Sequence, residues 1–299
     1  MRELPFVTVD VFTDRRFGGN PLAVFPNAEG LSDAEMQALA AEFNLSETTF
    51  VLPPADPANT ARVRIFNRTA EMPFAGHPNV GTGWVLAQQG RDRDGLLRFE
   101  EIAGLVEVRV DRDAGGTATG ATIAAPQPLT LGPELEAAVV AACVGLDHAD
   151  VVMAAHRPVL VSVGNSFVIA EVAPDALARA VPDIARFRRA AAGFAAAGEG
   201  RLPLYLYAHD PGAPGRLRAR MFSPLSGTVE DAATGSAAAP LAALLLSLSD
   251  TAEARFEITQ GVEMGRPSLL RASARRAADG IRASVGGGCV PVLRGAATL

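Results

Sequence analysis

Two ionisable side chains stand in short motifs that could support proton transfer. Glu47 lies between a predicted helix end and a predicted strand, in the motif Asn44 to Phe50, where hydroxyl and apolar residues flank it. Such surroundings can raise a carboxyl pKa toward neutrality and suit it to general acid–base work. His77 follows Gly76 at a predicted helix start. The helix dipole disfavours an imidazolium there, so a neutral, hydrogen-bonding imidazole is expected. A solvated surface glutamate and a capping histidine remain the ordinary alternatives.

A third candidate, Asp231, precedes the second glycine-opened helix. It lies beside Glu230 in the motif Glu230 to Ser236. Acidic residues at this position also compensate a helix dipole, and one of the pair is expected to serve only that purpose. The sequence therefore indicates one functional acid here, and the residues alone leave open whether it is Glu230 or Asp231.

Gly76, and Gly235 with Ser236, open two apolar helices at matching places in the chain. A glycine at a helix start lets a ligand approach the backbone, where free N–H groups and the dipole attract an anion. If both starts converge on one cleft, the arrangement suits a small carboxylate substrate. Two ordinary buried helices with self-satisfied caps remain equally open.

A faint internal repeat predicts two related halves. Gly19 to Val24 resembles Gly164 to Ile169, and Arg62 to Phe66 resembles Arg218 to Phe222, in the same order. In both halves an acidic residue and then a glycine-opened apolar helix follow. Duplication explains two matches in one order better than chance does.

Periodicity and turn residues predict a mixed α/β chain with a Pro-rich linker at 125–128. Ser32 and Glu35 form a capping box that opens the first helix. The predicted helices are 33–43, 76–87, a segment near 133–144, a polar and Ala-rich region ending near 197, and 236–248. The predicted strands are 6–12, 49–52, 61–66, 97–99, 106–110, 122–124, 151–153, 159–163, 167–172, 204–208, 217–221, 256–259, 268–273 and 281–285.

Composition excludes several classes of function. The net charge is −6 and all 27 basic residues are Arg, without a concentrated basic run, which argues against nucleic acid. The absence of Lys excludes a Schiff-base lysine and the phosphate-loop motif. The four histidines and two cysteines show no metal-ligand spacing, and no dinucleotide fingerprint is present. We therefore expect no cofactor, no metal and a cytoplasmic protein. The apolar stretch 237–248 is too short for a membrane span of roughly 20 residues.

Several motifs, in order over nearly the whole chain, resemble the phenazine-biosynthesis PhzF-like family, which is related to diaminopimelate epimerase. They are Asp10 to Thr13, Gly19 to Pro21, Asn44 to Phe50, Pro73 to Pro78, Glu230 to Ser236 and Gln260 to Ser268.

The resemblance implies an α+β fold of two pseudo-symmetric domains, each a mixed β-sheet or barrel wrapped around a central helix. Residues 1–125 with 284–299 would form the first domain and 126–283 the second. It also implies a homodimer with a substrate cleft between the domains. Ala232 is a departure, since the family usually has Pro there.

The resemblance also assigns roles. The residue matching Glu47 shuttles a proton on a cyclic amino-acid substrate, and residues matching His77 and Asp231 assist it. Residues matching Gly76, Gly235 and Ser236 hold the substrate at the helix starts.

Two-base epimerases of the related branch carry a cysteine immediately before each helix-opening glycine. Ala75 and Thr234 stand there in this chain, and neither can act as a base. The leading hypothesis is therefore a cofactor-independent isomerase that moves a proton on a small carboxylate-bearing metabolite through a single glutamate. A non-catalytic metabolite-binding protein on the same fold, and an epimerase with unconventional bases, remain as alternatives.

Overall fold

A computed structural model describes residues 2–198 and 200–299. The chain divides into two compact units. Unit 1 comprises Met1–Ala124 and Gly286–Leu299, and unit 2 comprises Ala125–Val285. Within the described residues, no helix combines the length and apolar character that a membrane span requires.

Unit 1 is a closed β-barrel around one helix. The strands β1, β2, β3, β4, β6, β7, β8 and the final part of β18 pair in that order, and β18 returns to β1. The pairs β2–β3 and β4–β6 are parallel. The pairs β1–β18, β1–β2, β3–β4, β6–β7 and β7–β8 are antiparallel. Its elements are β1 Glu3–Val11, β2 Asn20–Phe25, α1 Asp33–Phe43, β3 Glu47–Leu52, β4 Ala61–Phe66, β5 Glu71–Met72, α2 Gly76–Gln88, β6 Leu96–Glu101, β7 Gly104–Arg112 and β8 Ala118–Ala124.

Helix α2 occupies the barrel, and every residue from Gly76 to Ala87 is buried. A helix without a polar face fits a position surrounded by apolar strands. Glycine at position 81 lets the helix approach the wall closely, because a Cβ there would lie 2.7 Å from side-chain atoms of both Leu22 and Val11. The strands thus hold the helix start at a fixed place.

Unit 2 repeats this plan with additional helices outside the sheet. Strands β9, β11, β12, β13, β14, β16 and β17 pair in that order, and β12–β13 and β14–β16 are the parallel pairs. Its elements are β9 Thr130–Glu134, α3 Ala137–Cys143, β10 Val151–Val152, β11 Val159–Ser162, β12 Ser166–Val172, α4 Pro174–Arg179, α5 Ile184–Gly193, β13 Leu204–His209, β14 Arg216–Ser223, β15 Thr228–Asp231, α6 Gly235–Ser247, β16 Glu253–Gln260, β17 Ser268–Ala277 and β18 Gly280–Thr298, which ends in unit 1.

Helix α6 takes the place in unit 2 that α2 takes in unit 1. It contacts β11, β12, β16 and β17, and it is buried over most of its length. A separate hydrophobic cluster joins α3, α4 and α5 to the opposite face of β12 and β13. Both faces of these strands are therefore covered, which explains their continuous apolar runs.

The helix predicted near 133–144 was wrong at its start. Residues Thr130–Glu134 form β9, which pairs antiparallel with β11, and the helix begins only at Ala137. The local helix propensity of these residues is outweighed by their strand pairing with residues about thirty positions later. The strand Asn20–Phe25 was also not predicted, because Pro21 interrupts its pattern.

The predicted internal repeat is visible in equivalent hairpins. In unit 1, Phe66 pairs with Glu71, and in unit 2 Phe222 pairs with Glu230. Each hairpin carries an arginine two residues before the phenylalanine, with its guanidinium carbon above the ring at 5.1 Å for Arg64 and 4.8 Å for Arg220.

The same registers show which residues correspond between the halves. Thr48 pairs with Phe66 as Leu204 pairs with Phe222, so Glu47 corresponds to Pro203. On the hairpins, Asp231 follows Glu230 as Met72 follows Glu71. Each half therefore carries a candidate acid that the other half lacks.

Candidate active site

The start of β3 and the start of α2 bring Glu47 and His77 together in unit 1. Glu47 Oε2 lies 3.5 Å from His77 Nε2, and the side chains are 16% and 6% exposed, respectively. Glu47 is the first residue of β3 and pairs with Leu22 of the parallel strand β2. The two residues are 30 positions apart in the sequence, so only the barrel closes this distance.

The ionisation state of His77 follows from its burial. Burial lowers the pKa of its imidazole to about 3, although a backbone hydrogen bond with Pro21 acts in the opposite direction. A separation of 3.5 Å would permit an ion pair with Glu47 if the ring were protonated. Because the desolvated ring stays neutral at neutral pH, the contact is a polar contact between a carboxyl group and a neutral imidazole.

Asn20, at the start of β2, lies against the other side of the imidazole. Its Nδ2 is 3.4 Å from His77 Nδ1, and its Oδ1 accepts a hydrogen bond from Ser46 Oγ at 3.1 Å. Asn20 is 2% exposed. The residue before Glu47 is therefore linked through Asn20 to the ring of His77, which fixes the relative placement of the pair.

Asp231 belongs to unit 2 and stands at the end of β15. Its Oδ2 accepts a hydrogen bond of 2.6 Å from Thr234 Oγ1. The neighbouring Glu230 makes two hydrogen bonds with Arg220, at 2.8 and 2.9 Å. We predicted that one of the two acids only compensates the helix dipole. In the structure, Glu230 has a structural role of another kind, because it is bonded to the arginine of the adjacent strand.

Gln260, the last residue of β16, holds the segment that carries Asp231. Its Nε2 donates to the backbone oxygen of Asp231 at 2.8 Å and to Thr234 Oγ1 at 3.1 Å. Its Oε1 accepts from the Thr234 backbone N–H at 3.2 Å and from the Tyr205 hydroxyl at 3.1 Å. Gln260 and Tyr205 are both fully buried. Four hydrogen bonds from one side chain therefore define the path from Asp231 to α6.

The backbone at Ala232 is held by the remainder of the same motif. Ser268 Oγ donates to the Ala232 carbonyl at 3.0 Å. Gly261 has φ +75°, and a Cβ there would lie 2.5 Å from that carbonyl oxygen. The backbone at Ala232 is thus fixed by its neighbours.

The predicted substrate-binding residues lie at the helix starts. Gly76 opens α2 and is buried, Gly235 opens α6 and is buried, and Ser236 follows it half-buried. The N-cap residues of the two helices, Ala75 and Thr234, make no side-chain capping hydrogen bond. The first-turn N–H groups can therefore serve an anionic ligand group.

Three supporting residues received no role from the sequence. Asn20 lies in the repeat Gly19 to Val24, and Gln260 opens the motif that ends at Ser268, so the pattern marks their segments without their function. Tyr205 has no such signal. Among residues 2–198 and 200–299, no group of three or more His, Cys, Asp or Glu side chains could hold a metal ion.

The fold matches that of solved structures described as PhzF-family proteins. A crystal structure of a phenazine biosynthesis protein of the PhzF family from Bacillus anthracis superposes with a TM-score of 0.88 and covers 100% of both chains, at 22% sequence identity. This likeness establishes the two-unit α+β architecture.

Sequence comparison then identifies the family. The model of the PhzC-PhzF family, described as phenazine biosynthesis-like protein, matches residues 9–295. An uncharacterized isomerase of Mesorhizobium japonicum is 36% identical over 91% of this chain and 90% of its own length. The trans-2,3-dihydro-3-hydroxyanthranilate isomerase of Pseudomonas chlororaphis is 35% identical over 98% of this chain and 99% of its own. The chain belongs to the phenazine biosynthesis-like family and is an isomerase.

Proposed function

We propose that this isomerase moves a proton within a small carboxylate-bearing ring or amino-acid-like metabolite, without a cofactor. The observation that carries the proposal is the contact between the Glu47 carboxyl and the buried, neutral His77 ring. The relative from Pseudomonas chlororaphis supplies the first compound to test, trans-2,3-dihydro-3-hydroxyanthranilate.

In this mechanism Glu47 takes a proton from one carbon of the substrate and returns it to another. The electron pair left by the first C–H bond shifts along the conjugated system, and the second C–H bond restores the composition of the molecule. A neutral imidazole can donate at one nitrogen and accept at the other. His77 therefore stabilises Glu47 in either protonation state without adding a charge.

Asp231 takes part in the same reaction as a second acid. Its carboxylate orientation is set by Thr234 and by the backbone bond from Gln260. The backbone N–H groups at the helix-opening residues Gly76, Gly235 and Ser236 are suited to an anionic group of the substrate. The predicted homodimer and cytoplasmic location remain expectations from the sequence.

The test is deuterium incorporation during turnover of trans-2,3-dihydro-3-hydroxyanthranilate in heavy water. The proton held by Glu47 exchanges with heavy water before it is returned in a fraction of turnovers, so the wild-type chain should introduce deuterium at the new C–H bond in that fraction. Glu47→Gln keeps the size of the side chain and removes the base, so the rate should fall by about 10²–10⁴-fold, the usual contribution of a general acid–base. Asp231→Asn should also slow the reaction.

The matched control is Glu42→Gln, an exposed glutamate on α1, which should leave the rate unchanged. Turnover by Glu47→Gln at the wild-type rate would refute the role of Glu47. Binding of the compound without conversion by the wild-type chain would refute this substrate and favour a metabolite-binding protein. Inversion of a stereocentre without a shift of a double bond would favour an epimerase.

A further inference from the structure

Besides His77 Nε2, which faces Glu47, three buried polar atoms near the start of α2 have no hydrogen-bond partner among the described residues. They are Oδ1 of Asn79 and both carboxyl oxygens of Glu101. Asn79 is the fourth residue of α2, and Glu101 ends β6. Glu101 as a residue is partly exposed, but its carboxyl oxygens are shielded from solvent. Buried atoms of this kind need an explanation, because a buried polar group without a hydrogen bond destabilises the folded state.

Protonation of Glu101 supplies the missing donor. Burial raises the pKa of its carboxyl to about 8, against a smaller opposite effect of the Asn79 amide. The amide is thus close enough to act on the carboxyl, although no hydrogen bond of ordinary geometry joins them. A protonated carboxyl carries one O–H donor, whereas a carboxylate only accepts.

One proton would satisfy all three atoms. In a cyclic acid–amide pair, the Glu101 O–H would donate to Asn79 Oδ1 and one Asn79 N–H would donate to the second carboxyl oxygen. The other Asn79 N–H keeps its bond of 3.0 Å to the carbonyl of Ala75. With a charged carboxylate, by contrast, Asn79 Oδ1 would face two acceptors and no donor.

Glu101 and Asn79 lie next to the chain segment that leads into α2 and His77. Ala75 directly precedes the first residue of α2, and His77 is the second. The backbone N–H of Ala103, in the turn after Glu101, donates to the carbonyl of Pro73 at 3.1 Å. The β6–β7 turn is therefore bonded directly to the segment Pro73 to Ala75, and a Glu101–Asn79 pair would add a second link to Ala75.

We propose that Glu101 is a neutral carboxylic acid which, paired with Asn79, is a positioning residue for the start of α2 and hence for His77. Loss of the proton would break the cyclic pair and release the restraint on Ala75. The effect on turnover rests on the proposed role of His77, whereas the placement of His77 can be measured without any substrate.

Four other acidic or basic side chains near the pair have partners of their own, and Arg109 on β7 is a further charged residue on these elements. On α2 the only other titratable residue is His77, which contacts Glu47. On β5, Glu71 bonds with Arg64, and on β7, Glu107 bonds with Arg98. Glu100, beside Glu101, accepts from the Ala55 and Asp56 backbone and from Asn59. The segment 73–75 carries no ionisable side chain.

Two spectroscopic measurements on the full chain test the proposal. Infrared spectra at pH 7 should contain the C=O band of a protonated carboxylic acid that titrates near pH 8. The band should be absent in Glu101→Gln and present in Glu100→Gln, the neighbouring carboxylate control. In parallel, the ¹⁵N signals of the His77 ring, assigned with a His77 variant, should move with the same midpoint in the wild type and stay constant in Glu101→Gln.

Glu101→Gln can still form a cyclic amide pair with Asn79, so it should fold and keep His77 in place. Asn79→Leu removes the amide that lowers the pKa of Glu101 and should move the infrared titration to higher pH. A carboxylate at pH 7 in the wild type would overturn the neutral acid. An unchanged His77 titration in Glu101→Gln would overturn the positioning role. If both readouts behave as expected and no isomerisation is found, only the proposed function fails.

Discussion

The most informative perturbation is Gln260→Leu, because one buried amide organises the segment that carries Asp231. Leucine has a similar volume and makes none of the four hydrogen bonds to Asp231, Thr234 and Tyr205. The apolar side chain therefore removes polar contacts with little change in packing.

The cost follows from the donors that lose their partner. The Tyr205 hydroxyl and the Thr234 backbone N–H both donate to Gln260 Oε1, and both residues are buried. An orphaned buried donor costs about 1–3 kcal/mol, so the two together should lower the free energy of unfolding by roughly 2–6 kcal/mol. Asp231 also loses the bond to its backbone oxygen, so kcat should fall.

A double-mutant cycle with Tyr205→Phe isolates the hydroxyl. Phenylalanine removes the group that Gln260→Leu would leave unpaired, so the double variant should be more stable than the sum of the single effects predicts. The expected coupling is about 1–3 kcal/mol. Urea unfolding measures each free energy. Gln88→Leu, an exposed residue that makes one bond of 2.9 Å to the Ala118 carbonyl, is the control and should cost under about 1.5 kcal/mol.

Additivity of Gln260→Leu and Tyr205→Phe within about 0.5 kcal/mol would refute the hydrogen-bond network as described. A Gln260→Leu variant with wild-type stability and kcat would refute its role in holding Asp231.

Two further predictions concern unit 1. The pKa of His77 is about 3 in the folded chain and about 6.5 in the unfolded chain, so between these pH values only the unfolded state binds the proton. The free energy of unfolding should therefore fall by about 1.4 kcal/mol for each pH unit below 6.5. Urea unfolding at pH 4.5 and 7 should show this slope, and His77→Asn should reduce it; equal slopes would contradict a neutral buried ring. Gly81→Ala should destabilise the chain by about 1–3 kcal/mol, because its Cβ would lie 2.7 Å from Leu22 and Val11 atoms. The control is Gly193→Ala, where no described atom beyond its chain neighbours and its own helix backbone lies within 4 Å of the added carbon. It should be neutral or stabilise by up to about 1 kcal/mol in thermal unfolding. Equal effects of the two alanines would contradict the close approach of α2 to the barrel wall.

Local sequence signals sufficed wherever the interacting groups are close in the chain. The capping box of α1 is present with both of its bonds, Ser32 to the Glu35 backbone and Glu35 to the Ser32 backbone. Helix α2 begins at Gly76 as predicted, since the glycine and the following proline favour a helix start. The two-unit α+β fold followed from motifs that keep the order of a known family.

The sequence failed where a distant strand decided the outcome. Residues 130–134 became β9 because β11 offered a pairing partner, and no local pattern records that partner. For the same reason the local sequence could not show which of Glu230 and Asp231 is bonded to a distant arginine. Arg220, ten residues earlier, lies on the adjacent strand and binds Glu230, and this leaves Asp231 to Thr234.

By itself the sequence determined the family and the starts of α1 and α2, because residue type and local spacing carry that information, and the family resemblance marked Glu47, His77 and Asp231 as candidates. Only the tertiary structure decided the protonation of His77, since desolvation depends on every chain segment packed around the ring. It also revealed the supporting bonds of Asn20 and Gln260, which span 57 and 26 residues to their contacts at His77 and Thr234. These contacts arise from barrel closure, a property of the whole unit that no short motif contains.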